Sequence, residues 1–361
     1  MRRVKSESLR LVEVFFDNPL MLMKLEEPQK HGNMVVIPLV LKGSHLDFMC
    51  VSEAEDKGKI RIIETDNVNE LKVVNMSDEM VLIPFGVTVH GGKQDRTVWE
   101  PILLPPGVKQ RIFETRRTGR GAEREVSIPA KCIEQSRWSY KKGRDFRAAK
   151  VRLNPNVAFM AMSPAGQSAV WSEIDALRYE MNVDINEAPT QSYLDITKAR
   201  EKSINSLVNR FENVKDQCGV AVFINGEFIG AEFYGNPRAW MVMGEEVLRA
   251  FAVEALRARG KPMREVGDHY HNVFIKTMGS FRMNFTVRKG VALGDVVEFK
   301  SEDGRWRGIA LGYKNTIVQF YLVKREDAGK LEISNFQRNV ERISRRNFQQ
   351  FVGRVNIPPR F

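Results

Sequence analysis

Short runs of strand-forming residues fill the first third of this chain, and they constrain its fold more than any other feature. Between residues 35 and 129 the runs are VVIPLVL, IRIIE, LKVVN, MVLIPF, VWEPILLPPG and REVSIP, each bounded by turn residues. They are rich in Val and Ile and lack a helical period, which is typical of antiparallel strands. We therefore expect this part of the chain to fold into an antiparallel β sandwich or barrel.

Helical and strand patterns alternate in the rest of the chain. Apolar residues recur at helical spacing in AGQSAVWSEIDALRYEM, a second helix is predicted from Ser192 to Phe211, and a third begins after its cap Asn236. Asn225 and Gly226 predict the type I′ turn of a hairpin between the second and third helices. The strand patterns FRMNFTV, DVVEFK, RWRGIALGY and TIVQFYLV follow the last helix.

A chain of 361 residues is long enough for two domains. We predict an α+β protein with a mostly β domain over residues 1–150 and an α+β domain with antiparallel strands and three main helices over residues 151–330. Residues 331–361 are predicted to form a basic amphipathic helix and tail, because Val340 and Ile343 fall on one side and Arg338 and Arg342 largely on the other. Such a helix would dock on its own chain or join a homo-oligomer, and the alternative is a merely solvated arginine face.

The sequence indicates a cytoplasmic protein without membrane contact, since no apolar run approaches the ~18 residues of a membrane helix and no signal peptide is evident. Cys50, Cys132 and Cys218 match no metal-binding spacing and are expected to be reduced, buried thiols. In GDHYH, a strand would place His269 and His271 on one face. A metal there would need ligands from elsewhere, so we predict no metal site and can name no cofactor.

Positive charge is concentrated in two segments. Residues 105–152 contain 14 Lys or Arg and 5 Asp or Glu, a net charge of +9, and residues 331–361 contain six Arg against two Glu, a net charge of +4. Clustered positive charge attracts the phosphates of nucleic acids or nucleotides. A solvated basic face that only aids solubility is the alternative.

The segment HGGKQDR, residues 90–96, separates two apolar runs. It fails as a Walker phosphate loop because Gly92 stands where that motif needs lysine. Adjacent glycines at a strand end instead indicate a bulge or a close approach by another segment. If the strand continued, Lys93 and Asp95 would lie on one face and Gln94 and Arg96 on the other. A buried Arg96 would need an acidic partner, for which Glu134 is our candidate.

A second segment, KCIEQSRWSYKKGRDFR, brings Glu134, Arg137 and Trp138 together among basic residues. Aromatic side chains beside Lys and Arg suit stacking on a base with phosphate neutralisation alongside. The alternative is a structural one, in which Trp138 packs in the core and Arg137 forms an ion pair with Glu134.

The blocks GGKQDRTVWEPILLPP, CIEQSRW, VWSEI and GVAVFINGEFIG, in this order, resemble the ARPP-1 family, a domain named for its association with ADP-ribosylglycohydrolases and rhodanese-phosphatases. The resemblance spans approximately Val35 to Val323, and it implies no particular reaction. The basic insertion at residues 115–125 and the tail beyond Val323 depart from it. Its motif falls on these positions: Gly91, Gly92, Lys93, Gln94, Asp95, Arg96, Glu134, Arg137 and Trp138.

We interpret these residues as a site for a phosphate-bearing ligand, either a nucleic acid or an ADP-ribose-like nucleotide. The predicted ligand-binding residues are Gly91, Gly92, Lys93, Gln94, Arg96, Arg137 and Trp138. The first alternative is an enzyme acting on an ADP-ribosyl or related phosphate substrate, with Asp95 or Glu134 as general acid or base. The second alternative is a structural or assembly protein without a small-molecule site.

Overall fold

A computed structural model of the protein describes residues 6–107, 125–137, 139–140 and 145–325. Within these residues the fold is α+β and its sheets are mostly antiparallel, as the sequence predicts. The predicted C-terminal helix over residues 331–361, most of the basic insertion and Trp138 lie outside the described residues. The described α-helices are α1 (Glu7–Asp17), α2 (Val51–Asp56), α3 (Pro155–Ala161), α4 (Gln167–Glu180), α5 (Tyr193–Ala199), α6 (Glu201–Val208), α7 (Pro237–Arg257) and α8 (Tyr270–Ser280).

One large sheet joins the beginning of the chain to its second half. Its nine strands are β1 (Met23–Leu25), β2 (Gln29–His31), β3 (Met34–Leu41), β13 (Gln217–Ile224), β14 (Glu227–Tyr234), β15 (Met283–Lys289), β16 (Asp295–Ser301), β17 (Trp306–Tyr313) and β18 (Thr316–Lys324). They follow the order β1-β3-β13-β14-β18-β17-β16-β15, and β2 also pairs with β3. The sheet thus takes strands from both sides of residue 150, and the division into two domains at that residue stays a prediction.

A closed barrel forms in the region that the sequence assigns to a sandwich or barrel. Its six strands are β5 (Ile60–Glu64), β6 (Glu70–Asn75), β8 (Val87–Gly91), β9 (Arg96–Val98), β11 (Val126–Cys132) and β12 (Asp145–Arg152), in the order β11-β6-β5-β12-β8-β9. A small sheet of β4 (Met49–Cys50), β7 (Val81–Ile83) and β10 (Ile102–Leu104) lies beside it. Closure removes the free edges that an open sheet of short strands would expose.

The two faces of the large sheet bury different partners. On one face α1 and α8 cover an apolar cluster, in which the rings of Phe15 and Phe16 lie 4.8 Å and 5.8 Å from that of Phe320. On the other face α7 and the barrel share a second core. There Arg152, at the end of β12, donates to Glu232 of β14 at 2.5 Å and fixes the barrel to the sheet.

Several local predictions are confirmed. Asn225 and Gly226 form the hairpin turn with φ values of 51° and 77°, and the Asn236 side chain caps α7 by accepting from the Ala239 amide. All three cysteines are buried, and none forms a disulfide.

Two local predictions are wrong. The helix expected from Ser192 to Phe211 is divided into α5 and α6 at Arg200, whose φ of −112° leaves the helical range while its Nε donates to the carbonyl of Met181. The GDHYH segment enters a helix and not a strand. Tyr270, Phe274 and Met278 recur at helical spacing and are buried against the sheet, which outweighs the strand pattern.

Candidate functional site

The glycine pair brings the end of β8 against β12. Gly91 has φ of 137° and Gly92 has φ of 46°. A Cβ atom on Gly91 would lie 2.5 Å from the Asp145 carbonyl, and one on Gly92 would lie 2.4 Å from the Phe146 ring. The predicted close approach is therefore confirmed. The chain leaves the sheet at Gly92, so the predicted alternation is wrong, and Gln94, Asp95 and Arg96 are all buried.

Arg96 pairs with Glu64 and not with Glu134, which corrects the predicted ion pair. Its Nη2 lies 2.6 Å and 2.8 Å from the two Glu64 oxygens, and its Nη1 donates to the carbonyls of Asn67 and Glu70. β9 and β5 stand opposite each other in the six-stranded barrel, so this pair spans the barrel interior. The Arg96 side chain is 1% exposed and lies over the Phe146 ring. Only closure of the barrel brings Glu64 opposite Arg96.

Arg137 holds the loop after β8 to the segment after β11. Its Nε donates to both Glu134 oxygens at 2.9 Å, and its Nη2 lies 3.1 Å from Asp95 Oδ1. The carbonyls of Gly91, Gly92 and Ser139 accept its remaining hydrogen bonds. Arg137 and Glu134 thus form the structural ion pair that the sequence offered as an alternative, and the Arg137 side chain is 8% exposed.

Glu134 is a buried, ionised anchor. Burial alone would raise the pKa of its carboxyl, but hydrogen bonds from Arg137 and from the Asp95 amide outweigh burial and lower the pKa below its ordinary value. Its backbone carbonyl accepts from Gln94 Nε2 at 2.9 Å, and Gln94 Oε1 accepts from the Cys132 thiol at 3.0 Å. Gln94 and Glu134 are therefore both committed to contacts inside the protein.

Asp95 connects this buried network to the surface through His90, a residue that the sequence analysis did not select. Its Oδ1 lies 2.9 Å from His90 Nδ1, and its Oδ2 accepts from the Ser192 hydroxyl at 3.0 Å. The Asp95 side chain is 1% exposed, whereas that of His90 is 48% exposed. A buried carboxylate that fixes an exposed imidazole is a recurring arrangement in binding and catalytic sites. The position of His90 directly before the glycine pair was the available signal.

The exposed side chains around His90 form what we call the rim surface, defined as His90, Lys93, Tyr140 and Arg147. Arg147 of β12 is the register partner of His90 in β8, and both are exposed. Lys93 Nζ lies 5.2 Å from the centre of the Tyr140 ring and 2.8 Å from Asp66 Oδ1. The pKa of Lys93 is raised by its hydrogen bond to Asp66, so this amine stays charged. The Tyr140 hydroxyl also donates to Asp66 Oδ1 at 2.6 Å, so Asp66 offsets the charge of Lys93 while Arg147 adds a permanent positive charge to the rim surface.

Of the predicted site residues, the structure brings together all those that it describes, but it divides them between two environments. Lys93 is partly exposed. The other charged and polar residues are buried and form hydrogen bonds with one another or with adjacent segments of the protein: Gln94, Asp95, Arg96, Glu134 and Arg137. Within the described ranges, no group of three or more His, Cys, Asp or Glu side chains has the arrangement of a metal site. In the same part of the chain, no helix combines the length and apolar character needed to cross a membrane.

Comparison with known proteins gives one match. The model of the ARG and Rhodanese-Phosphatase-superfamily-associated Protein domain, ARPP-1, matches residues 23–113 and 121–323. No curated protein and no solved structure matches the chain. The family match includes the barrel, the large sheet and both segments that build the rim surface, and the chain accordingly belongs to the ARPP-1 family.

Proposed function

We propose that the protein binds a phosphate-bearing ligand at the rim surface, with His90, Lys93 and Arg147 as the contacting groups. The observation that carries this proposal is the pairing of His90 with Arg147 across β8 and β12, while buried Asp95 holds the His90 ring from behind. An imidazole and a guanidinium that project from adjacent strands suit a phosphate, because both donate hydrogen bonds and Arg147 carries a permanent charge.

The buried arginines support this surface from below and do not contact the ligand. Arg96 and Arg137 each pair with a buried glutamate, and breaking such a pair to reach a ligand would leave an uncompensated charge in the interior. Arg137 also fixes the carbonyls of Gly91 and Gly92, the residues that follow His90. The residues shared with the family motif therefore act mainly as a rigid platform.

Two titrations separate a nucleic acid from a single nucleotide. The probes are a labelled single-stranded RNA of about twelve nucleotides and ADP-ribose, each titrated at several salt concentrations. Binding of an RNA releases counterions at every neutralised phosphate, so log K falls steeply with log[salt], and ADP-ribose gives a shallow slope. Native mass spectrometry of protein purified without nuclease provides an independent test, because a bound nucleotide or RNA is retained.

Variants of the rim surface test the contacting groups. Replacing His90 or Arg147 by Ala should weaken binding of the preferred probe roughly tenfold, the loss of one charge-assisted hydrogen bond. Lys198→Ala removes a positive charge from an exposed position in α5 and should leave binding unchanged. If neither probe binds, or if H90A and R147A bind as the parent does, the proposal fails.

The His90–Asp95 pair also favours a second candidate function, an enzyme acting on an ADP-ribosyl or related phosphate substrate. A carboxylate at 2.9 Å from Nδ1 orients the ring and leaves Nε2 as the group that can accept or donate a proton. In this function Asp95 positions His90, and Glu134 stays an ionised anchor. His90→Gln should then abolish hydrolysis of an ADP-ribosylated peptide while the peptide still binds. Undiminished hydrolysis by H90Q would exclude His90 as the base.

A further inference from the structure

A concave site separate from the rim surface lies between the barrel and the large sheet. It is a cavity of about 420 Å³, within the size range of small-molecule sites. From the barrel side it is lined by Trp99 and Lys131, and from the sheet side by Thr286, Arg307 and Ile309. We call it the interlayer pocket. Trp99 directly follows β9 and Lys131 belongs to β11, yet neither side chain takes part in the buried network.

The pocket places a cation against an aromatic ring. Lys131 Nζ lies 5.2 Å from the centre of the Trp99 ring and donates to the Ala161 carbonyl at 2.5 Å. That carbonyl is a neutral acceptor, so it does not balance the charge. Burial lowers the pKa of Lys131, as expected for an amine whose surroundings solvate it poorly. A negatively charged ligand would restore the stability of its charged form.

The sheet side of the pocket adds positive charge. Arg307 is buried, its guanidinium lies 5.1 Å from the Phe159 ring centre, and its register partner Lys300 also lines the pocket. Among the described residues, the carboxylate in the lining is that of Glu298, which already accepts from Arg288 Nε at 3.1 Å and Nη2 at 2.9 Å. Within this described part of the chain, the lining thus has three cationic side chains and one acidic side chain, and the acidic one already binds Arg288.

We propose that the interlayer pocket binds a small planar anion, an aromatic or heteroaromatic ring that carries a carboxylate or a phosphate. The ring would lie beside Trp99 and the apolar side chains of Met162 and Ile309, and its acidic group would meet Lys131. This proposal is independent of the rim surface, because it uses other residues and requires an aromatic body as well as an anionic group.

Calorimetric titration of the full-length protein with two matched pairs of probes tests the ligand class. AMP and benzoate each combine a planar ring with an anionic group, and adenosine and benzyl alcohol are their neutral counterparts. We expect each anion to bind about tenfold or more tightly than its counterpart, since charge-assisted hydrogen bonds are lost in the neutral probe. Equal binding of the neutral and anionic members, or no binding of any probe, would refute the proposal.

Variants assign the binding to this pocket. Lys131→Met should weaken AMP and benzoate about tenfold, and Lys131→Arg should keep the preference for anions. Trp99→Leu should weaken all four probes to a similar extent through loss of stacking. Lys198→Met is the control, because it removes an exposed charge that does not line the pocket. If AMP affinity falls in R147A and not in K131M, AMP binds at the rim surface and the pocket assignment is wrong.

A measurement on the unmodified protein covers the case in which K131M does not fold. Reductive methylation followed by peptide mass spectrometry reports the reactivity of each lysine. Saturating benzoate should reduce labelling of Lys131 several-fold while labelling of Lys198 stays constant. Equal labelling of Lys131 with and without benzoate would place the anion elsewhere and contradict the proposal.

Discussion

The interior of the barrel and the outer face of the large sheet are filled by different chemistry. Inside the barrel the Arg96–Glu64 pair spans from strand to opposite strand, and Arg137 and Glu134 occupy its end. Under α1 the sheet buries a cluster of phenylalanine rings, and the rings of Phe233 and Phe320 stack 5.1 Å apart. A small barrel built from short strands leaves backbone carbonyls at its ends, and long charged side chains can satisfy them while aromatic rings cannot.

This contrast implies that the two regions respond differently to substitution. The aromatic cluster depends on volume and shape, so truncation should be costly in proportion to the ring removed. The barrel network depends on pairing, so removal of one partner should be costlier than removal of both. Measurements of stability on variants from both regions test this difference.

The largest effect is expected in the aromatic cluster. Phe320 contacts four other rings and is fully buried, so Phe320→Ala should lower the free energy of unfolding by about 5 kcal/mol, the upper end for a buried ring. Urea denaturation monitored by circular dichroism gives the value. Phe320→Leu, which keeps most of the volume, should lose much less. Similar losses in F320A and F320L would argue against packing as the source of stability.

The Arg96–Glu64 pair in the barrel should be sensitive to the loss of one charge and not to the loss of side-chain volume. Glu64→Leu leaves Arg96 charged and unpaired inside the barrel, and we expect a loss of about 3–4 kcal/mol. The double variant Glu64→Leu with Arg96→Met replaces the pair by apolar side chains and should recover most of that loss. The same urea titrations compare the two proteins. A double variant that is less stable than E64L would show that the barrel needs the pair itself.

A smaller effect is expected at the glycine pair. A Cβ atom on Gly92 would meet the Phe146 ring and lie 2.8 Å from Glu64 Oε2, in a backbone region unfavourable for other residues. Gly92→Ala should therefore lower stability by about 2 kcal/mol. Gly58→Ala, at a φ of 63° with open space around it, isolates the backbone part of this effect and should lower stability by about 1 kcal/mol. Equal losses at both positions would remove the steric argument.

The smallest effect is a pH dependence of opposite sign at two buried glutamates. Burial raises the pKa of Glu246 to about 7, so the native state holds a proton that the unfolded chain has released, and stability falls as the pH rises from 4.5 to about 7. The pKa of Glu134 is lowered, so its contribution is complete above its unfolded pKa and is lost as the pH falls through its folded pKa.

Urea denaturation between about pH 4 and pH 8 measures both dependences. Relative to the parent, Glu246→Gln should gain about 1 kcal/mol of stability between pH 5 and pH 6, whereas the deficit of Glu134→Gln should grow as the pH rises from 4 to 6. Parallel curves for the parent and E246Q would show that Glu246 titrates normally.

Much of the fold could be predicted because it depends on residue patterns that are local in the sequence. The antiparallel strands between residues 35 and 129, the hairpin at Asn225 and Gly226, and the cap at Asn236 all depend on neighbours within a few residues. The break between α5 and α6 at Arg200 could not be predicted. The Arg200 side chain donates to the carbonyl of Met181, which follows α4 and is brought close only by folding.

The sequence indicated two segments that the structure does bring together, but it did not indicate how all of their charged side chains pair. The two glycines and the Arg137–Glu134 pair could be predicted, since they require only a strand end and a three-residue spacing. The partner of Arg96 could not, because the sequence offers no measure of which carboxylate lies across a closed barrel. His90 was overlooked for the same reason, since its importance comes from the burial of Asp95 five residues later.

The α+β class, the antiparallel strands, the hairpin and the role of the glycine pair follow from local sequence, because steric preference and periodicity act over short distances along the chain. Tertiary structure alone decided that the strands close into a barrel, that β3 joins β13 in one sheet, and which cations are buried and which face solvent. Those outcomes depend on pairing between segments far apart in sequence, where the energy of a buried charge is set by the partner that folding brings to it.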